Sequence, residues 1–199
     1  MKKIIYIILI VAISLIVAAF VAVQWFFSNE QKNIEMYPYT VKQEYDDFEI
    51  REYESSLFST VKLPSSKYET ASNDGFRMLA GYIFGGNENN KSIAMTSPVA
   101  MSLGDSMTMM FMVPAEYSLE TLPKPNESRI NFQQVPAKTV AAISFGGWSN
   151  DEKIENYKTQ LIAALDAEGV SYSDRFYFLG YNAPFEVFNR RNEVIVELD

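Results

Sequence analysis

Four groups of residues in this 199-residue chain have types and spacings that suit chemistry. Gly85 to Ser92 reads GGNENNKS, one residue away from a phosphate-binding loop. Asn90 stands where that motif needs its second glycine for close backbone approach, and a helix precedes the loop where a strand should, so a nucleotide is not expected there. A second group, Asp46, Asp47, Glu49, Glu52 and Glu54, offers carboxylates that in pairs exchange protons with a substrate. On an extended chain Glu52 and Glu54 share one face and alternate with Arg51 and Tyr53, which is the pattern of a solvated strand edge. The third group is rich in methionine: Met107, Met109, Met110 and Met112, with Met78, Met95 and Met101 elsewhere. Thioethers bind soft metals and also pack adaptably around flat apolar surfaces. Alternation puts Met107 and Met109 on one strand face with Phe111, and Met110 and Met112 on the other, so the four cannot converge on one ion and core filling accounts for most of them. The fourth group, Arg190, Arg191, Asn192 and Glu193, precedes the last strand. Neighbours on an extended chain point oppositely, so one arginine turns inward and needs Glu193, carbonyls or an anionic ligand group as its partner.

What the sequence lacks narrows the chemistry further. It has no histidine and no cysteine. Disulfides, a thiolate nucleophile, a zinc site built on Cys and His, and a Ser-His-Asp triad are all excluded. With no pairing of nucleophile and base visible, an enzyme is not expected. All 25 acidic residues, and all of the 17 basic ones except Lys2 and Lys3, follow the apolar N-terminal run. The rest of the chain therefore carries about −10, which disfavours a nucleic-acid partner.

The elements that must position these residues come in three stretches. From Ile4 to Phe27 there is no charged side chain, which reaches the roughly 20 apolar residues that cross a bilayer. A cleaved signal peptide competes with a retained anchor; its apolar core is shorter, about 7 to 15 residues, and the length here favours residues 1–27 as a transmembrane anchor. Lys2 and Lys3 keep the N-terminus cytoplasmic and send the domain to the extracytoplasmic, periplasmic side. Residues 28–38 read as a juxtamembrane linker, and 39–199 as one domain.

Within that domain a helix opens with Ser66 and Glu69 as a capping box and runs through Tyr68, Phe76, Leu79 and Ile83 to Gly85 and Gly86. A second opens with Ser149 and Glu152 and runs through Ile154, Tyr157, Leu161 and Leu165 to Gly169. Strands are expected over 48–53, 57–63, 93–101, 107–113, 130–134, 139–145, 176–181 and 194–198. Each half reads two strands, a helix and two strands. The fold class is α+β: duplicated units forming a distorted eight-stranded antiparallel barrel flanked by two helices, with the loop 114–129 joining the halves.

FEIREY at 48–53, YIFGGN at 82–87, IAMTSPV at 93–99, FGGW at 145–148 and RRNEV at 190–194 occur in an order and spacing that resembles the SOUL haem-binding family. The resemblance covers 39–198 and implies a duplicated βαββ-type fold. It also implies a non-enzymatic carrier or buffer that holds haem or a related tetrapyrrole in a shallow apolar cleft beside the first helix of the domain. Some members are described as ligating iron through histidine, others as using Arg and Met on that helix and a Lys before RRNEV. Asn73, Phe76, Ala80 and Glu186 align at those positions here. The cleft implied for this chain consists of Phe76, Leu79, Ala80 and Ile83 with the loop of Pro184 and Phe185. Arg77 or Lys91 would meet a propionate, and Met78 and Tyr82 are the nearest axial candidates, since no histidine is available. The competing readings are a binder of another apolar or amphiphilic small molecule, and a membrane-tethered interaction domain without a ligand. A sizeable apolar pocket beside the helix separates these two.

Overall fold

The computed structural model describes residues 2–30, 34–104, 106–183 and 186–199. The chain divides into two compact units, Met1–Ile34 with Ala183–Phe188, and Glu35–Asn182 with Asn189–Asp199. In the first unit, α1 (Lys2–Glu30) is almost the whole structure. Its stretch Ile5–Gln24 is long and apolar enough to cross a membrane, and none of it is buried; at 1.5 Å per residue, 20 residues reach about 30 Å, the thickness of the hydrocarbon layer. In the same unit the Val187 amide donates to Gln24 Oε1 at 3.1 Å, and the rings of Phe20 and Phe188 meet edge-on at 6.3 Å.

The second unit runs β1 (Glu35–Met36), β2 (Tyr39–Glu44), β3 (Glu49–Tyr53), β4 (Ser56–Leu63), α2 (Tyr68–Ile83), β5 (Thr96–Ser97), β6 (Val99–Leu103), β7 (Met107–Met112), β8 (Ile130–Val135), β9 (Lys138–Gly146), α3 (Asp151–Glu168), β10 (Tyr172–Gly180) and β11 (Arg191–Leu198). Nine of these strands form one curled antiparallel half-barrel in the order β2-β3-β9-β11-β10-β6-β7-β4-β8, while β1 pairs parallel with β5. Every expected strand is present, and β2 adds the ninth. The segment expected as a linker, 28–38, holds the end of α1 and β1. The strand expected over 93–101 is cut at Pro98, which has no amide to give to a ladder.

The two halves of the sequence exchange their first strands. β3 lies against β9 of the second half, and β8 lies against β4 of the first. The sheet joins at its middle through β6 and β10, paired from Val99 with Gly180 to Leu103 with Phe176.

Both helices cover the same face of the sheet. α2 buries Ala71, Leu79, Ala80, Tyr82 and Ile83 against Val61, Leu63, Met109 and Phe111, and it comes so close that a Cβ on Gly75 would sit 2.9 Å from Leu63 Cδ1. α3 buries Ile154, Leu161 and Leu165 against Ile143, Phe178 and Val194. Neither helix uses the capping serine expected from sequence. Asn150 caps α3, its Oδ1 accepting from the Lys153 amide at 2.8 Å. The first amides of α2, at Tyr68 and Glu69, donate instead to Asp151 Oδ1 and Oδ2 at 2.6 and 3.3 Å. One carboxylate thus begins α3 and caps α2. Gly169, with φ of 66°, ends α3 in the left-handed conformation.

The face without helices carries a third cluster, including Tyr37, Tyr53, Phe58, Met110, Leu179 and Ile195, and a buried ion pair. Because β3 lies between β2 and β9, Arg51 and Tyr53 are enclosed while Glu52 stays in solvent, which corrects the reading of all four residues as a solvated edge. Arg51 is 2% exposed and Glu193 0%. Arg51 Nη1 and Nη2 donate to the two oxygens of Glu193 at 2.8 and 3.1 Å. Glu193 also accepts from Arg191, Ser144 and the Tyr181 hydroxyl. Burial alone would raise the Glu193 carboxyl, but the Arg51 and Arg191 guanidiniums and the Tyr181 hydroxyl outweigh it and hold the group below the ordinary carboxylate range. The inward guanidinium is therefore that of Arg51; Arg191 keeps partial exposure, and Arg190 lies over the Trp148 ring at 4.0 Å.

Candidate ligand-binding groove

The outer face of α2 and the loop that follows β7 enclose a groove of about 450 Å³, within the roughly 300 to 1,000 Å³ typical of small-molecule sites. Its position follows from the YIFGGN segment. Gly85, at a φ of +105°, turns the chain away from α2. The Gly86 amide donates to Gly81 O at 2.8 Å, and a Cβ on Gly86 would sit 2.6 Å from that oxygen, so no other residue fits. Asn87 is buried and fastens the turn from inside: its Nδ2 donates to Tyr82 O and Lys91 O, and its Oδ1 accepts from the Lys91 amide at 2.9 Å. The far wall is then held by the Glu88 amide on Lys124 O, the Asn126 amide on Gly86 O and the Tyr82 hydroxyl on Pro123 O at 3.0 Å. The near-match to a phosphate loop thus serves to hold two segments together.

Asp74, Arg77, Met78 and Gly81 line the helix side of the groove, with Lys62 and Pro64 at the end of β4 and Asn126, Glu127 and Arg129 opposite. Gly81 has nothing within 4 Å of where a Cβ would stand, which leaves a flat, open spot one turn from the half-buried Met78 thioether. Three cations rim the opening. The Arg77 side chain is 81% exposed and donates to Asp74 at 2.9 Å. Arg129 donates to both Glu127 oxygens, at 2.9 and 2.6 Å, and these hydrogen bonds hold the Glu127 carboxyl down at about 2. Burial pushes the Tyr82 phenol up to about 12.

The residues expected at a cleft divide by the direction in which α2 presents them. Arg77, Met78 and Tyr82 come together at the groove. Leu79, Ala80 and Ile83 lie in the core between α2 and the sheet, and Phe76 is half-buried with its ring edge-on to Phe111 at 5.5 Å. Lys91 sits over the Tyr117 ring at 4.5 Å. Pro184 and Phe185 lie outside the described residues. Sequence reasoning missed Gly81, Lys62 and Arg129. The signal for Gly81 was helical spacing, three residues after Met78 and four after Arg77; the other two arrive from distant strands. Among the described residues no group of three or more acidic side chains is placed to hold a metal ion.

Comparison with known proteins gives a consistent picture. The sequence profile of the family described as SOUL heme-binding protein matches residues 34–197. Heme-binding protein 2 of Mus musculus is 30% identical over 179 residues, covering 83% of this chain and 87% of that protein. Heme-binding protein 1 of Xenopus laevis is 26% identical over 155 residues, covering 74% and 81%. Among solved structures, the C-terminal domain of EcmrR superposes with a TM-score of 0.60 at 10% identity, covering 81% of this chain and 98% of that domain. A hydrolase from Listeria innocua gives 0.53 at 8% identity, covering 79% and 94%. At such identities the two structures share the fold alone.

Proposed function

This chain belongs to the SOUL haem-binding family, and from that premise we propose that it binds haem or a related tetrapyrrole in the groove beside α2, as a membrane-anchored binder and not as an enzyme. The observation that carries the reading is the open backbone at Gly81 beside Met78, a place for a planar ring, rimmed by Lys62, Arg77 and Arg129. Burying the flat face of a porphyrin there supplies most of the affinity, at about 25 cal/mol per Å² of apolar surface before association costs are deducted. Arg77 and Arg129 would hold the propionates in place of Asp74 and Glu127, an exposed and therefore inexpensive rearrangement. Of Met78 and Tyr82, Met78 is the side chain that would hold the iron. The Tyr82 hydroxyl is committed to Pro123 O, and with its phenol pushed up to about 12 it stays neutral at physiological pH. A bound haem supplies a redox-active iron and a strong Soret band. Lys2 and Lys3 hold the N-terminus of α1 in the cytoplasm and place the sheet unit on the periplasmic side.

The test is a haemin titration of the full chain in lipid nanodiscs, followed by Soret absorbance against protein-free discs, with Met78→Ala and Arg77→Ala beside the parent. A saturable shifted band that changes position in Met78→Ala and weakens severalfold in Arg77→Ala is expected. Identical behaviour of both variants and the parent would sink the groove as the site, and no saturable shift at all would sink haem as the ligand.

A further inference from the structure

The face of the half-barrel without helices holds a second cavity of about 450 Å³ that shares no residue with the groove beside α2. Its floor is apolar, formed by Phe58, Ala100, Met110, Leu179 and Ile195. One end is ionic. Lys138 Nζ lies 3.0 Å from Glu197 Oε1 and 4.0 Å from the centre of the Tyr177 ring. Arg175 Nε donates to the other oxygen of Glu197, and the Tyr177 hydroxyl donates to Oε1 at 2.8 Å. Two cations therefore face one carboxylate in the lining of the cavity, while Asp174 acts on Arg175 from outside it, in a protein of formal net charge −8. The Lys138 side chain is only 12% exposed; desolvation draws its ammonium below the ordinary lysine range despite Glu197. Such a group gains from any further anion brought within reach. A second observation lies in the same wall. Tyr37 is 5% exposed, and its buried hydroxyl has no hydrogen-bond partner among the described residues. Buried polar atoms are almost always paired, so an orphan beside a cavity points to something that completes it.

We propose that this cavity is a binding site for an aromatic carboxylate, its ring against Phe58, Met110 and Leu179 and its head group received by Lys138, Arg175 and the Tyr37 hydroxyl. The two cations in the lining select an anion over a cation, and the apolar floor selects a ring over a small inorganic ion. The mostly exposed Arg175 stands at the mouth and draws the ligand in, whereas Lys138 and Tyr37 hold it within.

Methionine methyls report both cavities in one experiment, since Met110 lines this one and Met78 the groove. The full chain, methyl-labelled at methionine and embedded in nanodiscs, is titrated with 2-naphthoate. A saturable shift of the Met110 methyl with Met78 stationary is expected, and Arg175→Gln should weaken it by about tenfold through loss of a charge-assisted contact. Lys138→Met should weaken it at least as much. A stationary Met110 methyl, an affinity unchanged in Arg175→Gln, or an equal response to naphthylmethylammonium would each overturn the proposal. The readout is independent of haem, so failure here leaves the reading of the groove intact.

Discussion

At the scale of single residues, the Arg51–Glu193 pair is a contact whose partners cannot be removed one at a time without cost. Both side chains are enclosed and bound through two hydrogen bonds. Removing one partner strands a buried charge, and Arg51→Ala is expected to lose roughly 3 to 5 kcal/mol in urea unfolding followed by tryptophan fluorescence; a loss under about 1 kcal/mol would show that the pair is not held as described. The same carboxylate sets a pH dependence. Glu193 and Glu197 are both held below the ordinary range when folded, so the unfolded chain binds more protons in mild acid. Stability is complete well above the unfolded value of about 4.3 and drains as pH falls through and below it. A urea midpoint that stays level between pH 6 and pH 3 would contradict this. The sequence pointed to Glu193 as the partner of a neighbouring arginine, and Arg191 does donate to it; its pairing with Arg51 was not legible, because the two stand 142 positions apart and FEIREY read by itself is an ordinary alternation of polar residues. Arg77, Met78, Leu79 and Ala80, by contrast, were all drawn into the expected cleft by the resemblance to the SOUL family; Arg77 and Met78 line the groove, and Leu79 and Ala80 lie in the core. One step of 100° along the helix separates the wall of a groove from the core.

At the scale of elements, α2 depends on a residue that belongs to α3. Asp151→Ala removes both oxygens that accept from Tyr68 and Glu69 and should destabilise the fold by about 0.5 to 2 kcal/mol, while Ser66→Ala should have almost no effect. Equal thermal shifts in the two variants would return the cap to Ser66. Both helices were readable from their 3.6-residue period and their terminal glycines, which are local signals. The cap was not, since a carboxylate 83 residues away satisfies the same amides as well as a neighbouring serine does. The eight strands were likewise readable from alternation and β-branched content. The order in which they join was not, because alternation fixes which face a side chain takes and says nothing about the neighbouring strand.

At the scale of the whole molecule, α1 and the sheet unit lead to a simple expectation. After alkaline carbonate washing the full chain should remain with the membrane, and a chain lacking residues 1–34 should pass into the supernatant; full-length protein in the supernatant would remove the anchor from the account. The order of the sheet has its own consequence for how the protein folds. β11 lies between β9 and β10 near the middle of the sheet, so it is the strand that joins β2-β3-β9 to the rest. Until Arg191–Leu198 is seated, β9 and β10 each present an open edge, and such edges invite aggregation and proteolysis. One strand is thus the keystone of the arch: a copy in which it fails to lock stays open at the centre, and quality control needs no other mark to tell it from a sound one.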